Sequence, residues 1–334
     1  MGGWFSFSGV GATVGDLLAK DVVCEWLERA DRTYDVALDV SYGAGVDWRT
    51  VDPSRYSEVI FVCGPFYRSD LLRRFEGCRL IGVNLSMAEP IRDWNPFDLL
   101  LERDSSEASH PDITFCASVD KVPVVGLTLL PPAEAGTDLE ARYREASEAA
   151  VRLLERRGTA RVTIDTGLGS GFGTTSPMIV TSLMTRMDAI VTTRLHGLVL
   201  ALRGGVPALA IEPVPGGGKL ARQGMVLGWP AVVQIDELTD AALDDALDFC
   251  LSQEGREKAR ACADRAVAEV GAIGDRFVVE MTHPGGAGDG RRNRTWLFEG
   301  SRTPASERSD RGYARALAGL RSRLKRGIGR SSGR

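Results

Sequence analysis

Short apolar runs of strand length alternate with helix-like segments along most of the chain. In its first part, four such runs occupy residues 36–40, 58–63, 80–84 and 98–101. Between residues 14 and 30, apolar residues recur at helical spacing along one side of the segment. Buried strands that alternate with helices predict a parallel sheet with covering helices.

A second series of alternating segments begins with the strand-like run KVPVVGLTLLPP at residues 121–132. Further strands are predicted at 161–165, 188–193, 208–211 and 231–235. Helices are predicted at 139–157, 177–186, 196–202 and 219–227, and over most of the chain from there to about residue 279. The alternation indicates βαβ units. We therefore expect an α/β protein with two Rossmann-like, doubly wound domains.

Length and charge add a boundary to this pattern. The chain has 334 residues, 43% of them hydrophobic, which suits two packed domains and an extension. From residue 284 onward, 13 Lys or Arg stand against 4 Asp or Glu, a net charge of +9 that leaves −13 for the rest. We predict domains over 1–119 and 120–283, followed by a basic, largely disordered tail over 284–334.

One part of the tail has its own periodicity. In YARALAGLRSRLKRGI, leucines and an isoleucine recur at helical spacing among five Arg and Lys residues. This basic amphipathic pattern suits peripheral contact with an anionic membrane surface. A solvated tail with chance leucines is the alternative interpretation.

Several classes of protein do not fit the composition. No apolar run approaches the ~20 residues of a membrane span, and MGGWFSFSGVG lacks the features of a signal peptide. The six cysteines are scattered, with no CxxC pair, which favours reduced thiols and a cytoplasmic location. The acidic body argues against a nucleic-acid partner. We see no clustered metal-ligand set and expect neither a metal nor a cofactor.

The junction between the strand at 188–193 and the following helix carries the strongest chemical signal. The segment TTRLHG places Thr193, Arg194, His196 and Gly197 where a strand ends and a helix begins. Unpaired N–H groups and the helix dipole favour an anion there. The Arg194 guanidinium matches a phosphate or carboxylate, Gly197 allows close approach of a ligand, and His196 can transfer a proton. Alternatively, Thr193 caps the helix, Arg194 is solvated and His196 packs.

Two glycine-rich segments are weaker signals. Gly9, Gly11 and Gly15 nearly match a dinucleotide-binding loop, but Val14 takes the place of the third glycine and no acidic residue clearly ends a second strand. This loop, with Asp16 behind it, can still touch a ligand, although Asp16 can equally serve as a first-turn acid. The loop at 167–177 is not a Walker loop. It can line the same cleft or be a flexible connection.

The segment TTRLHGLVLALRGGVPALAI resembles the C-terminal signature of the polysaccharide pyruvyl transferase family, in which R-L-H follows a strand and precedes a small-residue helix and a G-V-P turn. Lys219 matches a lysine that commonly follows. SGVGATVGDLLAKDVVCEWL resembles the family's opening loop with its Gly-Asp pair, here Gly15 and Asp16. ERDSSE resembles its Arg-Asp motif and contributes Arg103. The resemblance spans roughly residues 9–251.

The resemblance implies a transferase with two domains that face each other across a cleft, as in GT-B glycosyltransferases. Family members move a pyruvyl unit from phosphoenolpyruvate to two sugar hydroxyls, forming a ketal in cell-surface polysaccharides. By resemblance, Arg194 holds the donor anion, His196 is the acid/base, and the acceptor is a saccharide, lipid-linked in some cases. Substrate contacts are expected from Thr193, Arg194, Gly197, Lys219, Arg103, Gly11, Gly15 and Asp16. The first domain would take the acceptor and the second the donor.

Two departures from the family pattern keep other functions open. The strand that opens the second domain offers Thr128 where family members often carry an arginine, which leaves Arg103 as a candidate for the second arginine at the donor anion. A Pro-Gly-Gly-Gly run precedes Lys219. One alternative is a GT-B glycosyltransferase that uses a nucleotide sugar. The other is a non-catalytic relative that binds phosphate without turnover.

Overall fold

The computed structural model describes residues 1–9, 11–68, 70–130, 138–167 and 176–282. The tail with its amphipathic segment and the centre of the glycine-rich loop at 168–175 lie outside these ranges. The chain divides into two compact units, Met1–Asp120 and a second that begins at Lys121, one residue from the predicted boundary. Each unit contains a parallel β-sheet and α-helices, which confirms the predicted α/β class.

The first unit has a four-stranded parallel sheet and one long helix among its described residues. Its elements are β1 (Gly2–Gly3), α1 (Val14–Arg29), β2 (Glu58–Val62), β3 (Pro65–Phe66), β4 (Arg79–Val83), β5 (Ser86–Met87) and β6 (Leu99–Leu101). The sheet order is β1-β2-β4-β6, so the strands advance across it in one direction. The short strands β3 and β5 pair separately.

The strand predicted at residues 36–40 is wrong. Only an isolated bridge joins Ala37 to Val46, and a 3-10 helix begins at Val40. The Asp39 carboxylate accepts a hydrogen bond from the Ser41 backbone N–H at 3.0 Å, which turns the chain out of the extended conformation. The apolar run alone did not reveal this local competition between a side chain and the sheet.

The second unit is a doubly wound α/β unit. Its elements are β7 (Val124–Thr128), α2 (Asp138–Arg156), β8 (Ala160–Thr163), α3 (Pro177–Met184), β9 (Ala189–Thr192), α4 (Leu195–Arg203), β10 (Ala208–Glu212), α5 (Lys219–Leu227), β11 (Val232–Gln234), α6 (Asp240–Leu251) and α7 (Gln253–Thr282). Every residue of β9 and β10 is buried, as expected of parallel strands covered on both faces. The helical region predicted after residue 235 is divided at Ser252 into α6 and α7.

The strand order of the second sheet indicates where a ligand is expected to bind. The order is β8-β7-β9-β10-β11, all parallel, so the direction of winding reverses between β7 and β9. In open α/β sheets, ligands bind outside the carboxyl ends of the strands at such a reversal. Here β7 and β9 end side by side at Thr128 and Thr192. The predicted Arg-His junction follows immediately after Thr192.

No helix within the described ranges is long and apolar enough to cross a membrane.

Candidate anion-binding site

The site begins where β9 passes into α4. Arg194 is the residue that precedes the first helical turn, in an extended conformation, and no side chain caps the helix. Among the described residues, no hydrogen bond reaches the backbone N–H groups of Leu195, His196 or Gly197. This helix N-terminus therefore presents open donors and the positive end of the dipole to a ligand.

Two threonines fix the backbone of this junction. The buried Thr192 hydroxyl donates to the Thr128 carbonyl at 2.8 Å and accepts from the Arg194 backbone N–H at 2.9 Å. The Thr193 hydroxyl, also buried, accepts from the Leu130 N–H at 3.0 Å. These bonds join the ends of β7 and β9, so the position of Arg194 is set by the sheet.

Arg194 carries a counterion within the unit. Its Nη1 atom lies 3.0 Å from Oδ1 of Asp165, and the two side chains are 20% and 21% exposed. Nη1 also donates to the Leu129 carbonyl at 3.5 Å. Asp165 follows β8, the strand on the other side of β7. A ligand anion at Arg194 must therefore share the guanidinium with Asp165 or displace it.

A cavity of about 220 Å³ opens beside this junction. His196 and Arg194 line it together with Lys219, which begins α5. A lysine in the first turn of a helix opposes the helix dipole, so local stability does not account for its position. The other polar residues of the lining are Tyr143 of α2, Arg222 of α5, Thr193 and Glu212. The cavity thus combines three cationic side chains and an imidazole with a phenol, a hydroxyl and one carboxylate.

Gly197 has a structural role. A Cβ atom at this position would lie 2.1 Å from the Thr192 hydroxyl oxygen and 3.2 Å from Cγ2 of Thr128. The absence of a side chain therefore lets α4 pack against the ends of β7 and β9. This packing explains the glycine without a ligand, and its predicted role in ligand approach stays a prediction.

The neighbouring helix N-terminus, that of α5, is occupied. Glu212, at the end of β10, is 2% exposed and accepts hydrogen bonds from the N–H groups of Leu220 at 2.9 Å and Ala221 at 3.2 Å. Its other oxygen accepts from the Val214 N–H at 3.0 Å. A Cβ on Gly218 would lie 2.7 Å from this carboxylate, so the glycine leaves room for it. The carboxylate fills the anion position that α5 would otherwise offer.

Thr128 lies at the end of β7 in the place where the family resemblance led us to expect an arginine. The residue is fully buried, and within the described part of the chain its hydroxyl oxygen has no hydrogen-bond partner. A buried hydroxyl without a partner costs free energy and calls for an explanation.

Arg103 is held within the first unit by two carboxylates. Its Nε lies 2.9 Å from Asp104 and its Nη1 3.1 Å from Asp112, and Nη2 also donates to the Ser86 hydroxyl. The hydrogen bond to Asp104 raises the pKa of Arg103 and lowers that of Asp104.

Asp112 shows how strongly this cluster is paired. Burial favours the neutral acid, but hydrogen bonds from the Thr114 backbone, Asn84 and Arg103 outweigh it and lower the pKa of Asp112 to about 2. Arg103 is thus committed to its neighbours, and its predicted contact with the donor stays a prediction.

The glycine-rich loop near the N-terminus also has local explanations. Gly11 has φ +75°, which favours glycine. The Asp16 carboxylate accepts from the Thr13 N–H at 2.7 Å, while the Thr13 hydroxyl accepts from the Asp16 N–H at 3.3 Å, a capping box at the start of α1. Gly15 is the second residue of α1. The predicted substrate contacts of Gly11, Gly15 and Asp16 stay predictions.

The structure therefore brings together one part of the predicted set. Thr193, Arg194, His196 and Lys219 share a cavity in the second unit. Sequence reasoning missed Asp165, Glu212, Tyr143 and Arg222. Asp165 and Glu212 each stand at the carboxyl end of a predicted strand, and a polar residue in that position was a usable signal. Tyr143 and Arg222 lie on helices and gave no such signal.

The second unit of this α/β protein thus has a candidate site for an acidic ligand. The site is the open N-terminus of α4, with an arginine and a histidine, at the point where the strand order reverses. The family model for polysaccharide pyruvyl transferase matches residues 148–213, from the middle of α2 to just after β10. This match contains Asp165, Arg194, His196 and Glu212, and it confirms the resemblance inferred from the RLHG…GVP segment. No match was found among curated proteins.

Two solved structures of glycosyltransferases are similar to the chain at low identity. The calicheamicin glycosyltransferase CalG4 is 16% identical, with a TM-score of 0.34, and the alignment covers 63% of this chain and 53% of that one. The glycotransferase of kitacinnamycin is 15% identical, with a TM-score of 0.33 and coverage of 61% and 54%. The chain thus spans about half the length of these two proteins.

Proposed function

We propose that the chain is a pyruvyl transferase that binds phosphoenolpyruvate at the carboxyl edge of the second sheet. The observation that carries this proposal is the shared cavity of Arg194, His196 and Lys219 beside the open N-terminus of α4. Arg194 and His196 lie within the stretch matched by the family model, and Lys219 follows closely after it.

The chemistry of the donor fits the groups in this cavity. Phosphoenolpyruvate carries a phosphate and a carboxylate on the same carbon, C2. The N–H groups of α4 and the Arg194 guanidinium can hold one anion. Lys219 and Arg222 can hold the other from the opposite helix. The apolar wall contributed by Leu195 and Val214 strengthens these electrostatic contacts by excluding water.

The reaction requires proton transfers that His196 can perform. A proton is added to C3 of phosphoenolpyruvate, and a sugar hydroxyl attacks C2 as it loses its own proton. The bond between C2 and the phosphate oxygen breaks, and phosphate leaves. A second hydroxyl of the same sugar then attacks C2 and loses its proton, which closes the ketal. Of the two hydroxyl protons, one balances the proton added at C3 and the other leaves with phosphate.

The acceptor side of the proposal rests on the family alone. We assign a saccharide, lipid-linked in some cases, as the acceptor and cell-surface polysaccharide biosynthesis at the cytoplasmic face of the membrane as the setting. The first unit would bind this acceptor.

A second candidate, a relative that binds phosphate without turnover, is favoured by two specific observations. Thr128 replaces the expected second arginine, and Asp165 already pairs with Arg194. Both features lower the positive charge available to the donor. This candidate predicts binding of phosphoenolpyruvate with no product.

The direct test is thermal unfolding of the full chain with phosphoenolpyruvate, inorganic phosphate or a panel of nucleotide sugars. Ligand at 100 times its dissociation constant should raise the free energy of unfolding by about 2.7 kcal/mol. Arg194→Ala should abolish the shift. Arg203→Ala is the matched control, because it removes an exposed arginine from the other end of the same helix.

Each outcome separates the candidates. Stabilisation by phosphoenolpyruvate that Arg194→Ala removes and Arg203→Ala keeps supports the proposed donor site, and release of phosphate in the presence of a sugar acceptor then supports catalysis. Stabilisation without phosphate release from any acceptor favours the non-catalytic relative. A shift with nucleotide sugars alone would replace the pyruvyl assignment with glycosyl transfer.

A further inference from the structure

The second half of α7 carries an apolar face that the described part of the chain leaves uncovered. Up to Cys262 the helix is anchored, since Gly255, Ala259 and Cys262 are buried and the Cys262 thiol lies 3.1 Å from the Leu227 carbonyl. Beyond this point the large apolar side chains are 56–70% exposed. They are Val267, Val270, Ile273, Phe277, Val278, Val279 and Met281.

Most of these side chains share one side of the helix. At 100° per residue, Val267, Val270, Ile273, Phe277 and Met281 fall within about 60° of a common direction. The spacing from Val270 through Ile273 to Phe277 is three and four residues, which is the spacing of a coiled-coil seam. Val278 lies about 80° from this direction, and Val279 points to the opposite side. A solvent-facing helix does not require such a stripe.

We infer that this face of α7 is an antiparallel self-association surface, and that its partner is a second copy of the chain. The charges that flank the stripe argue for this occupant. Glu269 and Arg276 lie on the same edge, seven residues apart, with opposite sign. In an antiparallel pair centred between Val270 and Ile273, Glu269 of one copy lies beside Arg276 of the other. The two-fold symmetry repeats the pair, so one contact supplies two ion pairs.

The same register matches side-chain sizes. Val270 lies opposite Ile273 of the second copy on both sides of the two-fold axis. Val267 lies beside Gly274 of the second copy, so a large side chain meets a small one. A Cβ on Gly274 would have no neighbour within 4 Å, which shows that this position is open to a partner.

The area is sufficient for a specific contact. Side chains with this exposure present an apolar area on the order of 500 Å² per copy, the size of a patch that is often functional on a soluble protein. Two copies would together bury on the order of 1,000 Å², where specific protein–protein interfaces begin. The pair would therefore be a concentration-dependent dimer.

The test measures the mass of the full-length protein by sedimentation equilibrium over a range of concentrations. The wild type should reach the mass of two chains. Val270→Asp should raise the dissociation constant by about 30-fold or more, because it places a charge at the centre of the contact. Val279→Asp is the matched control: it makes the same change at the same kind of exposed valine on the opposite side, and it should leave the mass unchanged. Far-UV circular dichroism checks that both variants keep their helices.

A charge exchange tests the orientation. Glu269→Arg and Arg276→Glu should each weaken the dimer, and the double variant should restore it. A parallel pair would not respond in this way, because it does not bring these two positions together. The inference fails if the full chain has the mass of one copy at every concentration, as it would if its own tail covered α7. It also fails if Val270→Asp and Val279→Asp act alike, or if the double charge exchange does not restore what the single changes remove.

Discussion

Two neighbouring helices of the second unit, α4 and α5, begin in the same way and end up with different roles. Each follows a buried parallel strand, and neither has an acidic residue in its first turn. At α5 the buried carboxylate of Glu212 takes the N–H groups of Leu220 and Ala221. At α4 no such group is found within the described residues, and Arg194 stands where a capping side chain would be.

The difference shows that the same strand-to-helix junction can either offer an anion site to a ligand or fill it with a side chain of the protein. The helix dipole is the same at both N-termini. Whether a ligand anion can bind therefore depends on the side chain that the preceding strand places there. The end of β10 delivers a carboxylate, which satisfies α5 permanently. The end of β9 delivers a guanidinium, which adds to the positive potential of α4. Of these two junctions, the candidate ligand site is the one whose helix N-terminus has no capping group among the described residues.

The largest effect is expected from His196, which would perform the proton transfers at the open junction. His196→Ala should lower kcat by about 10²–10⁴-fold, equivalent to about 3–5 kcal/mol of transition-state stabilisation. Binding of phosphoenolpyruvate should persist, because Arg194 is unchanged. Steady-state kinetics of phosphate release would measure the loss, with the exposed loop residue His110→Ala as control. An unchanged kcat in His196→Ala would remove this histidine from the mechanism.

Packing at the open junction is tested by Gly197→Ala. The added methyl group would lie 2.1 Å from the Thr192 hydroxyl oxygen, so α4 must move away from the sheet. We expect a loss of about 3 kcal/mol in the free energy of unfolding, at the upper end for overpacking. Gly271→Ala in α7 is the control, since its Cβ would meet nothing within 4 Å. Denaturant titration gives both values, and equal effects would contradict the packing role.

The closed junction is tested by Glu212→Gln. The amide places an N–H group against a backbone N–H donor and removes the charge at the α5 N-terminus. We expect a loss of about 2 kcal/mol, the range of charge-assisted hydrogen bonds. Glu237→Gln makes the same substitution at an exposed position and should be neutral. A neutral Glu212→Gln would mean that α5 does not depend on its internal carboxylate, and the contrast with α4 would fail.

The smallest effect concerns the counterion of Arg194. Asp165→Asn removes the charge of the carboxylate that competes with a ligand anion but keeps an oxygen that can accept the Gly167 N–H. The interaction energy of the Arg194–Asp165 pair is modest, because both side chains are about one-fifth exposed. The substitution should therefore raise the affinity for inorganic phosphate about 2–5-fold. Isothermal titration calorimetry would measure it. Weaker binding would show instead that Asp165 holds Arg194 in place for the ligand.

The sequence was sufficient to predict the α/β class and most elements of the second unit. Its strands are apolar runs bounded by turns, and α5 was predicted with its observed bounds, Lys219–Leu227. The pattern also placed Arg194 and His196 at a strand-to-helix junction, because periodicity changes there. In the first unit, a strand was wrongly predicted at 36–40, because the Asp39 side chain caps a 3-10 helix there and this outweighs β-propensity.

The partners of the site residues could not be predicted in the same way. Asp165 and Arg194 are 29 positions apart and meet only because β8 and β9 flank β7 in the sheet. The strand order is a property of the whole unit. The role of Gly197 likewise depends on the distance between α4 and the threonines beneath it, which no local pattern contains.

The division of the chain into two units has a calorimetric consequence. Arg194, His196, Lys219 and Arg222, which we propose as the donor site, all belong to the second unit. A ligand stabilises the cooperative element that makes its contacts. In differential scanning calorimetry, the donor should raise the temperature at which the second unit unfolds. The melting of the β1-β2-β4-β6 sheet should respond instead to the saccharide. The two substrates would then raise the temperatures of two separate unfolding transitions in one thermogram, before any product is formed.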